Sequence, residues 1–240
     1  MHKSSPNLVT FSGIDGAGKS TQIDAFQTYL RSLGLRVATR SFWDHAVALA
    51  RLREFLSQRL FKGDKGIGSP GRPIIRRDKN VQAWYVTAAR LIFYFLDALR
   101  LRSRLAKVSA KRCDYVIFDR YIFDELANLP LHRWPIRLYA RVILAFSPRP
   151  EVAYLLDADP EAARARKPEY PLNFLHHNRN AYLELSQLIG HMKVIEPLSA
   201  EATKLRVAEL FSASRQPTTS AATRFVYLPL IPRRMRTPRR

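Results

Sequence analysis

Residues 10–22 read TFSGIDGAGKSTQ. An apolar, strand-like run precedes them at 7–11, and a helix-like run follows from Gly18 to Leu33 with Gly34 just past its end. Between the two, Gly13-Ile14-Asp15-Gly16-Ala17-Gly18-Lys19-Ser20 satisfies the spacing GxxxxGK[ST] in the strand–loop–helix setting that this motif requires. The glycines let successive backbone N–H groups turn inward around phosphates, and the helix N-terminus adds its dipole. In such a loop Gly13, Asp15, Gly16, Ala17, Gly18, Lys19, Ser20 and Thr21 surround a nucleoside triphosphate. Lys19 reaches the β- and γ-phosphates, and Ser20 gives its hydroxyl to Mg²⁺. The loop alone does not separate a GTPase, a motor ATPase and a small-molecule kinase. A GTPase needs a base-reading Asn-Lys-x-Asp motif, which is absent, and motors are usually larger.

Outward from the loop, strand-like and helix-like segments alternate. Strands are expected at 35–43, 114–118, 151–157 and 192–196, and helices at 47–61, 81–108, 172–189 and 200–211, with a further helix starting at 159–161. The helix at 81–108 is apolar nearly all round at its centre, LIFYFL, and is expected to be buried. Residues 62–80, with four glycines and two prolines, read as a loop. Alternation of this kind predicts an α/β fold: a three-layer P-loop architecture with a five-stranded parallel sheet flanked by helices. Its sites belong at the carboxyl ends of the strands.

The chain has 240 residues, enough for a single α/β domain, expected at 1–211. Beyond it, 212–240 reads as a basic, disordered or loosely docked tail with seven arginines and no acid. Forty Lys and Arg against 20 Asp and Glu give a net charge of +20, which suits anionic ligands without choosing among them. A single cysteine, Cys113, fits a reducing compartment. No stretch approaches the roughly 20 apolar residues of a membrane span, so a cytoplasmic protein without a membrane partner is expected.

Three features beyond the loop carry chemistry. Asp119-Arg120-Tyr121 closes the apolar run DYVIF, where a carboxylate can hold Mg²⁺ through water or orient an acceptor and Arg120 presents a fork to a phosphate. Asp15 lies inside the phosphate loop, where a carboxylate is costly beside anions, so it is expected to face an acceptor hydroxyl. LLDADPEAARARK gives a strand, a helix start capped by Asp159, and then Arg164, Arg166 and Lys167.

FSGIDGAGKSTQ, DYVIFDRY, YLLDADPEAARARK and NRNAYLELSQ together resemble, in order and spacing, the thymidylate kinase family of P-loop nucleoside monophosphate kinases over about 7–211. That resemblance implies γ-phosphoryl transfer from ATP, with Mg²⁺, to a nucleoside 5′-monophosphate, most simply dTMP. It assigns Asp15 to the acceptor 3′-hydroxyl and Arg120, with Arg90, Val86 and Tyr121, to the acceptor side. Lys19, Asp119, Arg120 and Arg166 are the catalytic set, with Ser20 and Asp119 at the metal. Gly16 stands where one branch of the family has an arginine, so a short lid, which the resemblance implies at about 160–172, supplies it; Arg166 is preferred over Arg164, which is left to the ATP phosphates. The resemblance also allows a homodimer through helices flanking the sheet.

The acceptor-base pocket departs from the family. Val86 takes the place of a stacking Phe, His45 that of an arginine, and Asp124 and Asn128 replace a serine and an aromatic in DRYIFDELANL. Trp43, Trp84 and Phe123 are candidate substitutes for the lost ring. Two alternatives therefore stay open: a related kinase acting on another nucleotide, a nucleoside or a non-nucleotide, and a basic P-loop ATPase that meets nucleic acid through its tail.

Overall fold

The computed structural model describes residues 6–45, 84–109 and 113–215. The expected helix at 47–61, the loop at 62–80 and the tail beyond Arg215 lie outside them. Five strands, β1 (Asn7–Ser12), β2 (Val37–Ser41), β3 (Tyr115–Asp119), β4 (Val152–Leu156) and β5 (Lys193–Ile195), form one all-parallel sheet ordered β2-β3-β1-β4-β5. Eight described helices accompany it: α1 (Lys19–Ser32), α2 (Phe42–His45), α3 (Trp84–Ser109), α4 (Ile122–Leu126), α5 (Trp134–Phe146), α6 (Pro160–Arg166), α7 (Leu172–Ile189) and α8 (Ala200–Arg215).

Strand alternation sorts side chains onto two cores. Leu8, Val116, Phe118, Ala153 and Leu155 face a layer that includes Tyr94, Leu126, Ile143 and Leu185. Val9, Phe11, Ile117, Tyr154 and Leu156 face the other, where α1 contributes Ile23, Phe26 and Leu30 at helical spacing and α8 contributes Val207 and Phe211. Phe26 meets Phe211 edge-on at 5.1 Å. Both are nearly fully buried, so truncating Phe26 to Ala is expected to cost about 3–5 kcal/mol.

Chain connections run towards β4 from β3, and the opposite way, towards β2, from the central strand β1. The loop after it opens at the crevice where such folds bind ligands. Register makes this concrete: Phe11 pairs with Asp119 and Ser12 with Leu155, so the phosphate loop, the end of β3 and the end of β4 meet at one edge.

Between Tyr121 and the fourth strand, where the sequence reading assigns no element, lie α4 and α5; Pro135 sits at the start of α5, where a missing N–H costs nothing. Two expectations change. The apolar centre of α3 is not buried all round: Tyr94 and Ala98 are, but Ile92, Phe95 and Leu99 are exposed. They adjoin exposed residues of α5, Phe95 lying 6.0 Å from Phe146. The last helix continues to Arg215, past the expected boundary at Phe211.

Candidate active site at the carboxyl edge of the sheet

The loop from Gly13 to Gly18 turns on three glycines with positive φ, Gly13 (144°), Gly16 (86°) and Gly18 (86°). The N–H groups of Lys19, Ser20 and Thr21 precede the first intrahelical bond, Gln22 N–H to the Gly18 carbonyl at 3.1 Å, and are free to meet a ligand. Lys19 is buried and its Nζ donates to the Gly13 and Ile14 carbonyls, both at 2.8 Å, with Asp15 Oδ1 3.9 Å away. Burial first, and then the Arg120 charge, lower its ammonium to about 8, while Asp15 opposes them. A lysine so placed gains from any phosphate that restores its charge balance.

Asp119 ends β3 beside the loop. Its Oδ1 is buried with no hydrogen-bond partner among the described residues, and burial raises its carboxyl above the usual range against the pull of Lys19 and Arg120. A buried, unsatisfied carboxylate oxygen within the field of Lys19, at the start of α1, fits a magnesium ion held with phosphates and water. Among the described residues no cluster of three acidic, His or Cys side chains would hold a metal unaided.

Arg120 adopts φ +66°, a left-handed conformation costly for a side chain with a Cβ. Its N–H donates to the Phe11 carbonyl at 2.9 Å, which helps to pin the turn. The guanidinium pairs with the Asp15 carboxylate and lies 3.4 Å from Asp124 Oδ1. Burial alone would lower its pKa, but Asp15 and the neighbouring acids outweigh that and hold it above its ordinary value. Four residues named from sequence, Asp15, Lys19, Asp119 and Arg120, thus form one charge cluster.

Helix α6 starts on Asp159, whose carboxylate caps the Ala162 N–H at 3.0 Å. It runs directly over the loop: a Cβ on Gly16 would lie 2.3 Å from the Ala163 carbonyl oxygen. This is why the position carries no side chain, let alone an arginine. Arg166 Nε instead donates to the Gly16 carbonyl at 2.9 Å, whereas Arg164 makes no hydrogen bond or ion pair among the described residues. Arg179 of α7 binds Asp157 at the end of β4 through two bonds of 2.6 and 2.7 Å, and His176 meets Glu161 at 3.1 Å. A cavity of about 400 Å³ opens between Ala17, Asp157, Arg166 and the segment Glu196, Pro197 and Leu198 after β5.

No protein-family model matches the chain. A probable thymidylate kinase of Methanothermobacter thermautotrophicus is 30% identical over 191 residues, which cover 78% of this chain and 84% of that protein. The chain belongs to the thymidylate kinase family. A thymidylate kinase of Chlorobium luteolum is 28% identical over 163 residues, covering 67% of this chain and 66% of that one. The crystal structure of thymidylate kinase from Ehrlichia chaffeensis shares the fold, with a TM-score of 0.51 and 18% identity over 87% of this chain and all of that one.

Within this member of the thymidylate kinase family, the residues that the resemblance assigns to an acceptor have these surroundings. Arg90 of α3 reaches the Asn128 carbonyl at 3.5 Å, and the Asn128 amide donates to the Asp124 carbonyl at 2.8 Å. Tyr121 is fully buried, its hydroxyl donating to the Pro148 carbonyl, so it packs the core and does not face the loop. Phe123 packs on it at 5.0 Å and is no more available as a stacking surface, whereas Trp43 is 39% exposed. The side chains of His45, Trp84 and Val86 lie outside the described residues. Asp124 points inward, into contacts with Ser12, Tyr121, Tyr182 and Arg120. Ser12, Arg179 and Tyr182 were not singled out from sequence, although Arg179 and Tyr182 sit in the family-like stretch NRNAYLELSQ.

Proposed function

We propose that this chain transfers the γ-phosphoryl group of Mg·ATP to the 5′-phosphate of dTMP, giving dTDP and ADP. The observation that carries the reading is the buried cluster of Lys19, Asp15, Asp119 and Arg120 where the phosphate loop meets the end of β3. A phosphate oxygen of the acceptor attacks the γ-phosphorus, and the bond from that phosphorus to the bridging oxygen of ADP breaks. Such a reaction asks the protein for position and charge rather than covalent chemistry.

The N–H groups of the loop and of Lys19, Ser20 and Thr21 cradle the donor phosphates, with Lys19 moving from the Gly13 and Ile14 carbonyls onto them. Arg166, already on the loop, neutralises charge developing in transfer, and Arg164, less than a turn before it on the same helix, serves the ATP phosphates. Ser20 and Asp119 would hold Mg²⁺, which supplies charge neutralisation at the donor. The cavity bounded by Ala17, Arg166 and Pro197 accommodates the donor base. Arg120 takes the acceptor phosphate, supported by Arg90, and Asp15 takes the sugar hydroxyl, so the Asp15–Arg120 pair parts when the acceptor enters. The segment 160–172 acts as the lid.

Val86 in place of an aromatic favours a second reading, the same transfer to a different acceptor. A homodimer would use the exposed apolar face of α3 and α5, where Ile92, Phe95, Leu138 and Phe146 lie. The test of the transfer is label from γ-labelled ATP appearing in dTDP. Lys19→Ala should lower that rate by about two orders of magnitude or more; an unchanged rate would defeat the assignment.

A further inference from the structure

The family pattern has a serine where this chain has Asp124. A serine offers one oxygen; the carboxylate offers two, and both are used. Oδ2 accepts from the Ser12 hydroxyl at 2.7 Å and from the Tyr121 N–H at 2.9 Å. Oδ1 accepts from the Tyr182 hydroxyl at 2.6 Å and faces Arg120 Nη1 at 3.4 Å. Asp124 is 4% exposed, and the donors come from the end of β1, the turn into α4 and the middle of α7. Burial, and then the Asp124 charge, push the Tyr182 hydroxyl well above its ordinary range, so it stays a donor.

We propose that Asp124 is a positioning residue that sets Arg120 for the acceptor phosphate, a role the family's serine could not fill. This rests on the function proposed above. Arg120 has two carboxylate contacts, Asp15 and Asp124, and in the function proposed above Asp15 turns to the acceptor sugar during binding. Asp124 remains, tied to three elements and unable to follow. A guanidinium on a long side chain leaving a left-handed backbone would otherwise sample several rotamers, and each rotamer off the phosphate weakens acceptor binding.

The cluster also dictates which substitutions report on this role. In Asp124→Asn the new NH₂ must face either the Tyr121 N–H or Arg120, since neither can reverse as the two hydroxyls can. Asp124→Ser keeps the cap on Tyr121 but withdraws the oxygen facing Arg120 and Tyr182.

Steady-state kinetics with dTMP and ATP varied in turn, beside calorimetric binding of dTMP alone, tests the proposal on wild type, Asp124→Ser, Asp124→Asn and Tyr182→Phe. Loss of a charge-assisted contact predicts an acceptor KM and Kd raised about tenfold or more in both Asp124 variants. The KM for ATP should stay within about twofold, because the contact touches only the acceptor side. Tyr182→Phe should shift the acceptor terms the same way by less, and add little on top of Asp124→Asn, since both act through one contact. Because it removes a single hydroxyl, it carries the test if the Asp124 variants do not fold. Acceptor constants unchanged or lowered, or both KM values rising together, would overturn the proposal. Wild type that binds dTMP in an Asp124-dependent way without turning it over would defeat the transfer reading and leave this one standing. Wild type that binds no 5′-monophosphate overturns both.

Discussion

Gly16→Ala separates two costs that a phosphate-loop glycine usually hides together. Gly16 and Gly18 share φ +86°, so an alanine at either carries the same backbone strain, about 1–2 kcal/mol. Their surroundings differ. A Cβ on Gly18 would meet nothing within 4 Å, whereas one on Gly16 would lie 2.3 Å from the Ala163 carbonyl oxygen and 2.8 Å from its carbon. To restore ordinary contact, helix α6 must retreat by about 1 Å, and overpacking of this kind adds about 1–3 kcal/mol. Gly16→Ala should therefore be about 2–5 kcal/mol less stable than wild type, and Gly18→Ala about 1–2 kcal/mol. The same retreat lengthens the 2.9 Å bond from Arg166 to the Gly16 carbonyl, and misplacing a catalytic group by 1 Å costs about 100-fold in rate. Urea denaturation of the two ligand-free variants measures the stability gap, and kcat of Gly16→Ala against wild type measures the displacement. Equal stability of the two alanine variants would refute the close approach of α6 to the loop.

Lys19 makes a signed pH prediction. Its folded value of about 8 lies below the ordinary 10.5, so the folded chain binds fewer protons than the unfolded chain between those values. The destabilisation it brings, about 3 kcal/mol, is fully present below pH 8 and fades as pH rises towards 10.5. Denaturation of wild type and Lys19→Met between pH 7 and 10 should show wild type gaining on the variant, and parallel curves would count against a buried ammonium. Asp119→Asn should leave the ligand-free protein at least as stable at pH 7, because its buried carboxylate oxygen is unsatisfied, while Mg²⁺-dependent turnover collapses. A less stable variant with intact turnover would remove Asp119 from the metal. If the α3 and α5 face joins two copies, Phe95→Asp with Leu138→Asp should convert a dimer to a monomer in light scattering; an unaltered mass would clear that face of the role.

The chemistry-bearing ends of the strands were legible because short-range rules fix them. GxxxxGK[ST] after an apolar run requires the loop, and DYVIFDRY requires a buried strand delivering Asp119 beside it. What escaped depends on three-dimensional context. The α5 pattern hides behind Pro130 and Pro135, which suggest a loop until Pro135 is seen in the first turn. The apolar centre of α3 gives no sign of which face lacks a cover, and only packing leaves Ile92 and Phe95 outside. From sequence Asp124 is a replacement for the family's serine and nothing more. Its inward direction follows from hydroxyls at positions 12 and 182, 112 and 58 residues away, which local reasoning cannot connect. The left-handed Arg120 is likewise a product of its bond to Phe11 and its acidic neighbours, not of its own preference.

The acceptor is the central claim, and a mixed panel addresses it directly. Purified protein with Mg·ATP and dTMP, dUMP, the other nucleoside monophosphates, thymidine and several sugar phosphates in competition would have every product identified by mass. Dominant formation of dTDP is the predicted result, and it would show that a pocket with Val86 and an inward Asp124 still reads thymine. A product from another acceptor, with dTMP untouched, would contradict it and would mean that the phosphate machinery serves a rebuilt acceptor pocket.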